Sequence, residues 1–181
     1  VYAGTPDFLK VILDKAAEVG ETLSITKAVV GGGALFPSLR QDYAERGIAC
    51  LQCYATADLG NIAYESPAME GMIIDEGVIV EIVIPGTGTP VPEGEVGEVI
   101  VTTLNPDYPL IRFATGDLSA ILSGQSPCGR TNSRIKGWMG RADQTTKIKG
   151  MFVRPEQVAS LVASHASIER ARVIAVREGD M

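Results

Sequence analysis

Apolar and polar positions change rhythm twice along this chain. Thr5-Pro6-Asp7 sets a hydroxyl, a proline and an acid in the order that opens a helix. Phe8, Leu9, Ile12, Leu13, Ala16 and Ala17 then mark one apolar face at helical spacing, and Gly20 ends it. Residues 27–30 form a short apolar strand running into Gly31-Gly32-Gly33, a second helix is predicted over 37–46, and Gly47 closes it. The strand that follows carries Cys50 and Cys53. Residues 1–54 therefore read helix, strand, helix, strand, the alternation of an α/β layer.

After Gly60 the pattern turns to short β-rich runs separated by turn residues. Strands are predicted over 77–84, 98–103, 110–113 and 118–122, with Pro85-Gly86-Thr87-Gly88 as a turn and a polar stretch over 123–133. From Gly140 the rhythm shifts again. A hairpin is predicted over 147–153, then a short helix opened by Arg154-Pro155-Glu156 with Val158, Leu161 and Val162 inward, then a strand over 171–176. A ββαβ piece of that size is marginal as an independent fold. The expected division is therefore 1–139 as the latter part of a large domain, and 140–181 as a hinge with the start of a small one.

Composition narrows the chemistry. The net charge of -6 argues against a nucleic-acid surface, which needs a basic stripe, yet leaves room for one small anion in a locally positive pocket. No apolar run approaches a membrane span, so no membrane partner is expected and a cytoplasmic setting is. Cys50 and Cys53 are three apart on a strand, so they face opposite sides of the sheet and read as structural thiols. The chain opens on Val1 rather than Met, which fits the later part of a longer protein.

Two segments carry the candidate chemistry. The first is Arg112-Phe113-Ala114-Thr115-Gly116-Asp117, read as placing Asp117 on a tight turn between strands. An ionised carboxylate there can accept from both hydroxyls of a ribose; the alternative is an ordinary hairpin-turn Asp. The second is Gly140-Arg141-Ala142-Asp143 with Lys147-Ile148-Lys149-Gly150. Arg141 offers a charged fork to phosphate at the domain junction; the alternative is a surface ion pair. Lys147 and Lys149 share one face of the predicted strand; the alternative to a ligand role is a solvated basic edge, a reading that suits Lys147 better than Lys149. The glycine run fits neither a P-loop, lacking Gly-Lys-Ser/Thr, nor a dinucleotide fingerprint, failing at Phe36. It still allows backbone to approach a flat ligand. Tyr54-Ala55-Thr56-Ala57-Asp58 lies past a strand end, where a tyrosine can stack on a base and an acid can hold Mg²⁺; an aromatic core residue and a turn-capping Asp are the alternatives. His165, the only histidine, sits near a helix end, which does not suit a general base.

In this order these residues resemble the adenylate-forming superfamily, and within it the phenylacetate–CoA ligase group of acyl- and aryl-CoA ligases. Thr115-Gly116-Asp117 looks like the family's T-G-D, and the run from Gly140 through Asp143, Lys147, Gly150 and Val153 to Pro155 looks like its hinge motif. Gly94-Glu95-Val96-Gly97-Glu98-Val99, Thr102-Thr103-Leu104, Pro109-Leu110-Ile111-Arg112 and Cys128-Gly129-Arg130-Thr131 are similar to the narrower group. The resemblance implies a mixed α/β fold: the C-terminal part of a large AMP-binding domain, an α/β layer plus a β subdomain, followed by the start of a small α+β domain. It implies two half-reactions, in which an acid and Mg·ATP give an acyl-adenylate and CoA then displaces AMP. Carried over, Asp117 holds the ribose and Arg141 contacts ribose or phosphate as a catalytic residue. Asp143 is the hinge, and Gly150 lies near the CoA path. Gly32, Gly33 and Ala34 face adenine, Tyr54 stacks on it, and Thr56 joins the nucleotide site. Asp58 is the candidate Mg²⁺ ligand and a catalytic residue.

Departures from the pattern sit in that last motif, where the family's Y-G-x-T/S-E stands as Tyr54-Ala55-Thr56-Ala57-Asp58. Some relatives carry a Cys/His set that looks like a zinc site; the matching positions here are Ser66, Met72, Ser126 and Cys128, so no zinc is expected. The family's phosphate loop would precede Val1 and its catalytic lysine would follow Met181, so this stretch alone is expected to be inactive. The partners implied are a small organic acid, ATP and CoA, and an oligomer is compatible with the sequence. Two other readings stay open: adenylation with transfer to an amine or carrier protein, and a non-catalytic nucleotide-binding relative.

Overall fold

Two helices and three parallel strands build the first layer. The computed structural model describes residues 1–144, 146–148, 151–153, 155–165 and 167–174. Strand β1 (Tyr2–Gly4) leads into helix α1 (Pro6–Glu18), then β2 (Lys27–Val30), α2 (Pro37–Glu45) and β3 (Ala49–Thr56). β1 pairs with β2 and β2 with β3, all parallel, so each helix is the crossover of a βαβ unit. Leu9 and Leu13 of α1, Tyr43 of α2, and Ala28, Val30 and Cys50 on alternate strand positions form one buried cluster. Proline in the first turn of each helix supplies a fixed φ where no N–H is needed.

The chain then becomes β-rich: β4 (Gly60–Glu65), β5 (Met72–Ile74), β6 (Val78–Val83), β7 (Gly97–Thr103), β8 (Phe113–Ser119), β9 (Ile121–Leu122) and β10 (Arg134–Ile135). The parallel strands continue into β4, β5, β10 and β9, antiparallel from β3 onward, giving a seven-stranded sheet in the order β1-β2-β3-β4-β5-β10-β9. β6, β7 and β8 form a separate antiparallel sheet. A second core joins the two sheets: Tyr54, Ile62 and Met72 from the first meet Ile82, Val99 and Val101 from the second. Beyond it lie the hairpin β11 (Thr146–Ile148) and β12 (Met151–Val153) and helix α3 (Pro155–Ala163). None of the described helices is long and apolar enough to cross a membrane.

The mixed α/β reading, its four first elements and the late hairpin and helix all hold, and several details differ. A strand, β1, precedes the first predicted helix; at three residues it is too short to show alternation, and Gly4-Thr5-Pro6 reads as loop. Phe8 is 58% exposed and Ala17 is exposed, so α1 buries a narrower stripe than its apolar residues suggest. Thr115-Gly116-Asp117 is not a turn between two strands but part of one strand, β8. Only Phe113 of the predicted strand 110–113 is extended in the sheet, and residues 118–122 divide between the end of β8 and β9. On α3, Val158 and Val162 are half-buried but Leu161 is 53% exposed. Residues 171–174 form no strand, and the rest of that predicted strand lies outside the described residues.

Candidate functional site

Three residues of β8 create the site's central carboxylate. Ala114 pairs with Ile100 and Leu118 with Glu98, so Thr115, Gly116 and Asp117 together face the single residue Val99 of β7. This is a bulge, which re-aims a side chain. Each residue type has its own task. The Thr115 hydroxyl donates to the Val99 carbonyl at 2.9 Å and accepts the Asp117 N–H at 3.1 Å, satisfying backbone groups that the bulge leaves unpaired. Gly116 takes φ of 72°, which favours glycine. A Cβ there would also lie 2.5 Å from Arg141 Nη2 and 2.9 Å from its Cζ, because the guanidinium lies over the glycine.

Residues 136–142 then zip onto β8. Lys136 N–H donates to the Ala120 carbonyl, Met139 N–H to Leu118, Leu118 N–H to Gly140, and Ala142 N–H to Gly116, at 2.7–2.9 Å. Asp117 and Arg141 form a β-bridge. The two segments singled out in the sequence are thus backbone neighbours. Arg141 Nη1 donates to the Thr115 carbonyl at 3.0 Å and to Asp117 Oδ1 at 3.4 Å, and Arg141 Nε donates to Asp143 Oδ1 at 3.2 Å. That pairing with Asp143, then with Asp117, raises the guanidinium's pKa; the Arg141 hydrogen bond holds the Asp143 carboxyl below its ordinary value.

Asp117 itself is nearly buried and well partnered. The Tyr54 hydroxyl donates to Oδ2 at 2.9 Å and the Trp138 indole N–H to Oδ1 at 3.0 Å. Burial pushes the Tyr54 phenol far above its ordinary value, so it remains a proton donor facing a carboxylate. Both groups line a cavity of about 590 Å³. Gly32, Gly33 and Ala34 line it too, and the next residue, Leu35, is buried in the helical core. Gly31 lies where that loop presses on β3: a Cβ on it would come within 2.7 Å of Cys53 Sγ.

The cavity thus gathers Gly32, Gly33, Ala34, Tyr54 and Asp117 from the expected set. It does not gather the rest. Thr56 Oγ1 accepts the Leu59 N–H at 3.1 Å and closes the β3–β4 turn, while Asp58 is exposed in that same turn; neither lines the cavity. Arg141, bonded to Asp117, and Asp143 are not among the residues that line it. Gly150 and Lys149 lie outside the described residues. Gln52, Glu65, Lys136 and Trp138 also line the cavity, and the sequence reading passed over them. Trp138 was the findable one, as the chain's single tryptophan two residues before Gly140-Arg141. Glu65 was not: its role depends on Arg40, whose Nη2 donates to both its carboxylate oxygens at 2.8 and 2.9 Å across two elements.

Of the four zinc-set positions, Met72 is buried in the β core, while Ser126 Oγ donates to Cys128 Sγ at 3.1 Å. Among the described residues no group of three or more His, Cys, Asp or Glu side chains is placed to hold a metal ion.

Known proteins share this arrangement of elements. A 2-hydroxyisobutyryl-CoA ligase in complex with its acyl-AMP and CoA superposes with a TM-score of 0.79 at 22% identity, covering 91% of this chain and 38% of that one. An anthranilate CoA ligase in complex with anthranoyl-AMP superposes with a TM-score of 0.63 at 20% identity, covering 91% of this chain and 34% of that one. The fold is therefore that of a section of the adenylate-forming ligases. No family model matches the chain. In sequence it is similar to phenylacetate–CoA ligases over the section that it spans. It is 30% identical to the phenylacetate-coenzyme A ligase of Thermus thermophilus over the whole chain, and 33% identical to that of Escherichia coli over 75% of the chain. It spans 43% and 32% of the length of those two proteins.

Proposed function

We propose that this chain is the nucleotide-binding and hinge section of an AMP-forming acid–CoA ligase that activates an aromatic, phenylacetate-like acid or another organic acid. One observation carries the reading: Asp117, Tyr54 and the 32–34 loop converge on one cavity, and the Gly140–Asp143 segment is zipped to the strand that bears Asp117. Asp117 accepts the ribose hydroxyls, Gly32, Gly33 and Ala34 give a side-chain-free or small surface to adenine, and Tyr54 closes the base site. Arg141 reaches ribose or phosphate by leaving Asp143 as the hinge turns. Residues 1–139 belong to the large domain and 140–181 to the hinge and small domain, with Gly150 on the CoA path.

Mg²⁺ is held in such sites by one or two carboxylates together with nucleotide phosphates. Asp58, a single exposed carboxylate just past the end of β3, suits that modest protein share, and the ion would neutralise phosphate charge there. The ATP, CoA and acid partners come to this chain through its relatives. A second reading, with an amine or carrier protein as acceptor, is kept because a relative not named as a CoA ligase also matches: the same stretch is 26% identical to malpinin synthetase of Mortierella alpina over 97% of the chain, as 2% of that protein.

The test is acid-dependent ATP–pyrophosphate exchange by the protein encoded by the full open reading frame, with a panel of aryl and aliphatic acids and CoA-thioester detection by mass spectrometry. Exchange with thioester formation is expected. Exchange without a thioester moves the assignment to the second reading, and nucleotide binding without exchange makes the protein a non-catalytic relative. Asp117→Ala should weaken ATP binding by about tenfold or more, the loss of charge-assisted hydrogen bonds; an unchanged affinity removes Asp117 from the ribose role.

A further inference from the structure

Asp117 can serve two ribose hydroxyls only if its carboxylate is fixed with one lone pair on each oxygen facing the cavity. An ionised carboxylate has about four acceptor positions. Tyr54 takes one on Oδ2 at 2.9 Å, and Trp138 takes one on Oδ1 at 3.0 Å. Arg141 reaches Oδ1 at a longer 3.4 Å and spends its Nη1 on the Thr115 carbonyl as well. The short anchors are thus the phenol and the indole, one on each oxygen.

Trp138 is built for that task. The residues on either side of it are fixed: the Gly137 carbonyl accepts the Ser119 hydroxyl at 2.7 Å, and Met139 N–H donates to the Leu118 carbonyl at 2.9 Å. The ring lines the cavity and is 45% exposed, so burial does not account for its placement. An indole N–H is a donor only. It cannot trade roles with an incoming ribose hydroxyl, so it holds the carboxylate while the hydroxyls dock.

We infer that Trp138 is a positioning residue for nucleoside recognition: its indole N–H orients the Asp117 carboxylate toward a vicinal diol, and its ring forms the rim of the nucleoside site. The inference rests on the nucleotide reading above and names a residue that reading does not need.

The experiment compares AMP with 2′-deoxy-AMP, by calorimetry, on the unsubstituted protein and on Trp138→Phe, which keeps a ring and removes the donor. The unsubstituted protein should prefer AMP. In Trp138→Phe the affinity for AMP should fall about tenfold while that for 2′-deoxy-AMP changes little, so that the preference collapses. Trp138→His, which restores an N–H donor, should recover part of the preference. An unchanged preference in Trp138→Phe, or an equal loss for both nucleotides, overturns the positioning role, the latter by reducing Trp138 to ring packing. Should Trp138→Phe fail to fold, the unsubstituted protein still decides. Quenching or shift of indole emission on saturation with AMP, smaller with 2′-deoxy-AMP, supports the role, and identical responses overturn it. Failure of the unsubstituted protein to bind AMP at all is a different result, and it defeats the nucleotide reading itself.

Discussion

At the scale of single residues, three identical side chains show how far surroundings decide chemistry. Cys50 and Cys53 stand on opposite faces of β3, and burial raises both thiols above their ordinary value. Cys128 is exposed on the 123–133 loop, where hydrogen bonds from Ser126, from the Arg130 backbone and from Ser66 favour its thiolate and lower its pKa to about 7. The thiolate is the nucleophile, so its fraction sets the alkylation rate. Iodoacetamide labelling read by mass spectrometry should therefore modify Cys128 first, with a rate rising through pH 7 and levelling off before pH 9. Ser126→Ala should move that midpoint upward, since it removes the hydrogen bond that does most to favour the thiolate. A Cys128 midpoint near 9 in the unsubstituted protein would show the thiol to be unassisted.

Among elements, β8 carries the centre of the site. Its bulge needs Thr115 to satisfy the Val99 carbonyl, and Val99 is fully buried. Thr115→Val keeps the shape and removes the hydroxyl, leaving that carbonyl and the Asp117 N–H without their partner. The expected loss is about 1–3 kcal/mol in urea denaturation, accompanied by weaker nucleotide binding because Asp117 is no longer braced. A loss of stability with intact binding would separate the brace from the site. This strand also marks where reading the sequence falls short. Thr115-Gly116-Asp117 is turn-like in composition, and nothing local distinguishes a turn from a bulge inside a strand: both need a glycine at positive φ. What decides is β7 on one side and residues 139–142 on the other, and those pairings are non-local. The helices were legible because their proline and glycine boundaries are local. Asp117, Tyr54 and the glycine loop were nameable through the order of motifs that carries the family resemblance, not from their local chemistry alone. Glu65, whose part depends on a partner twenty-five residues earlier, was not.

At the scale of the whole molecule, the wall of the cavity is also a fastening between the helical layer and the β-rich part of the sheet. Arg40 projects from α2, donates from Nη1 to the Cys50 carbonyl of β3 at 2.8 Å, and clamps Glu65 of β4 with Nη2. The Glu65 carboxylate, only 10% exposed, also accepts the Gln52 N–H at 2.7 Å. Removing one partner of a buried pair costs about 3–5 kcal/mol, chiefly by stranding the other charge. Arg40 keeps 24% of its side chain in solvent, so Arg40→Met should sit at the low end, about 3 kcal/mol, in urea denaturation. Glu65→Gln added to it removes the stranded charge while its amide oxygen still accepts from Gln52. The double variant should therefore be more stable than Arg40→Met alone, by 1 kcal/mol or roughly that. Should the second substitution restore nothing, the cost lies in the lost bond to the Cys50 carbonyl, and the fastening is between α2 and β3 rather than between the two parts of the fold. Nucleotide affinity distinguishes the same cases: a displaced Glu65 reshapes the cavity wall and weakens AMP binding in Arg40→Met, whereas a loosened α2 alone leaves Asp117, Tyr54 and the affinity as they were.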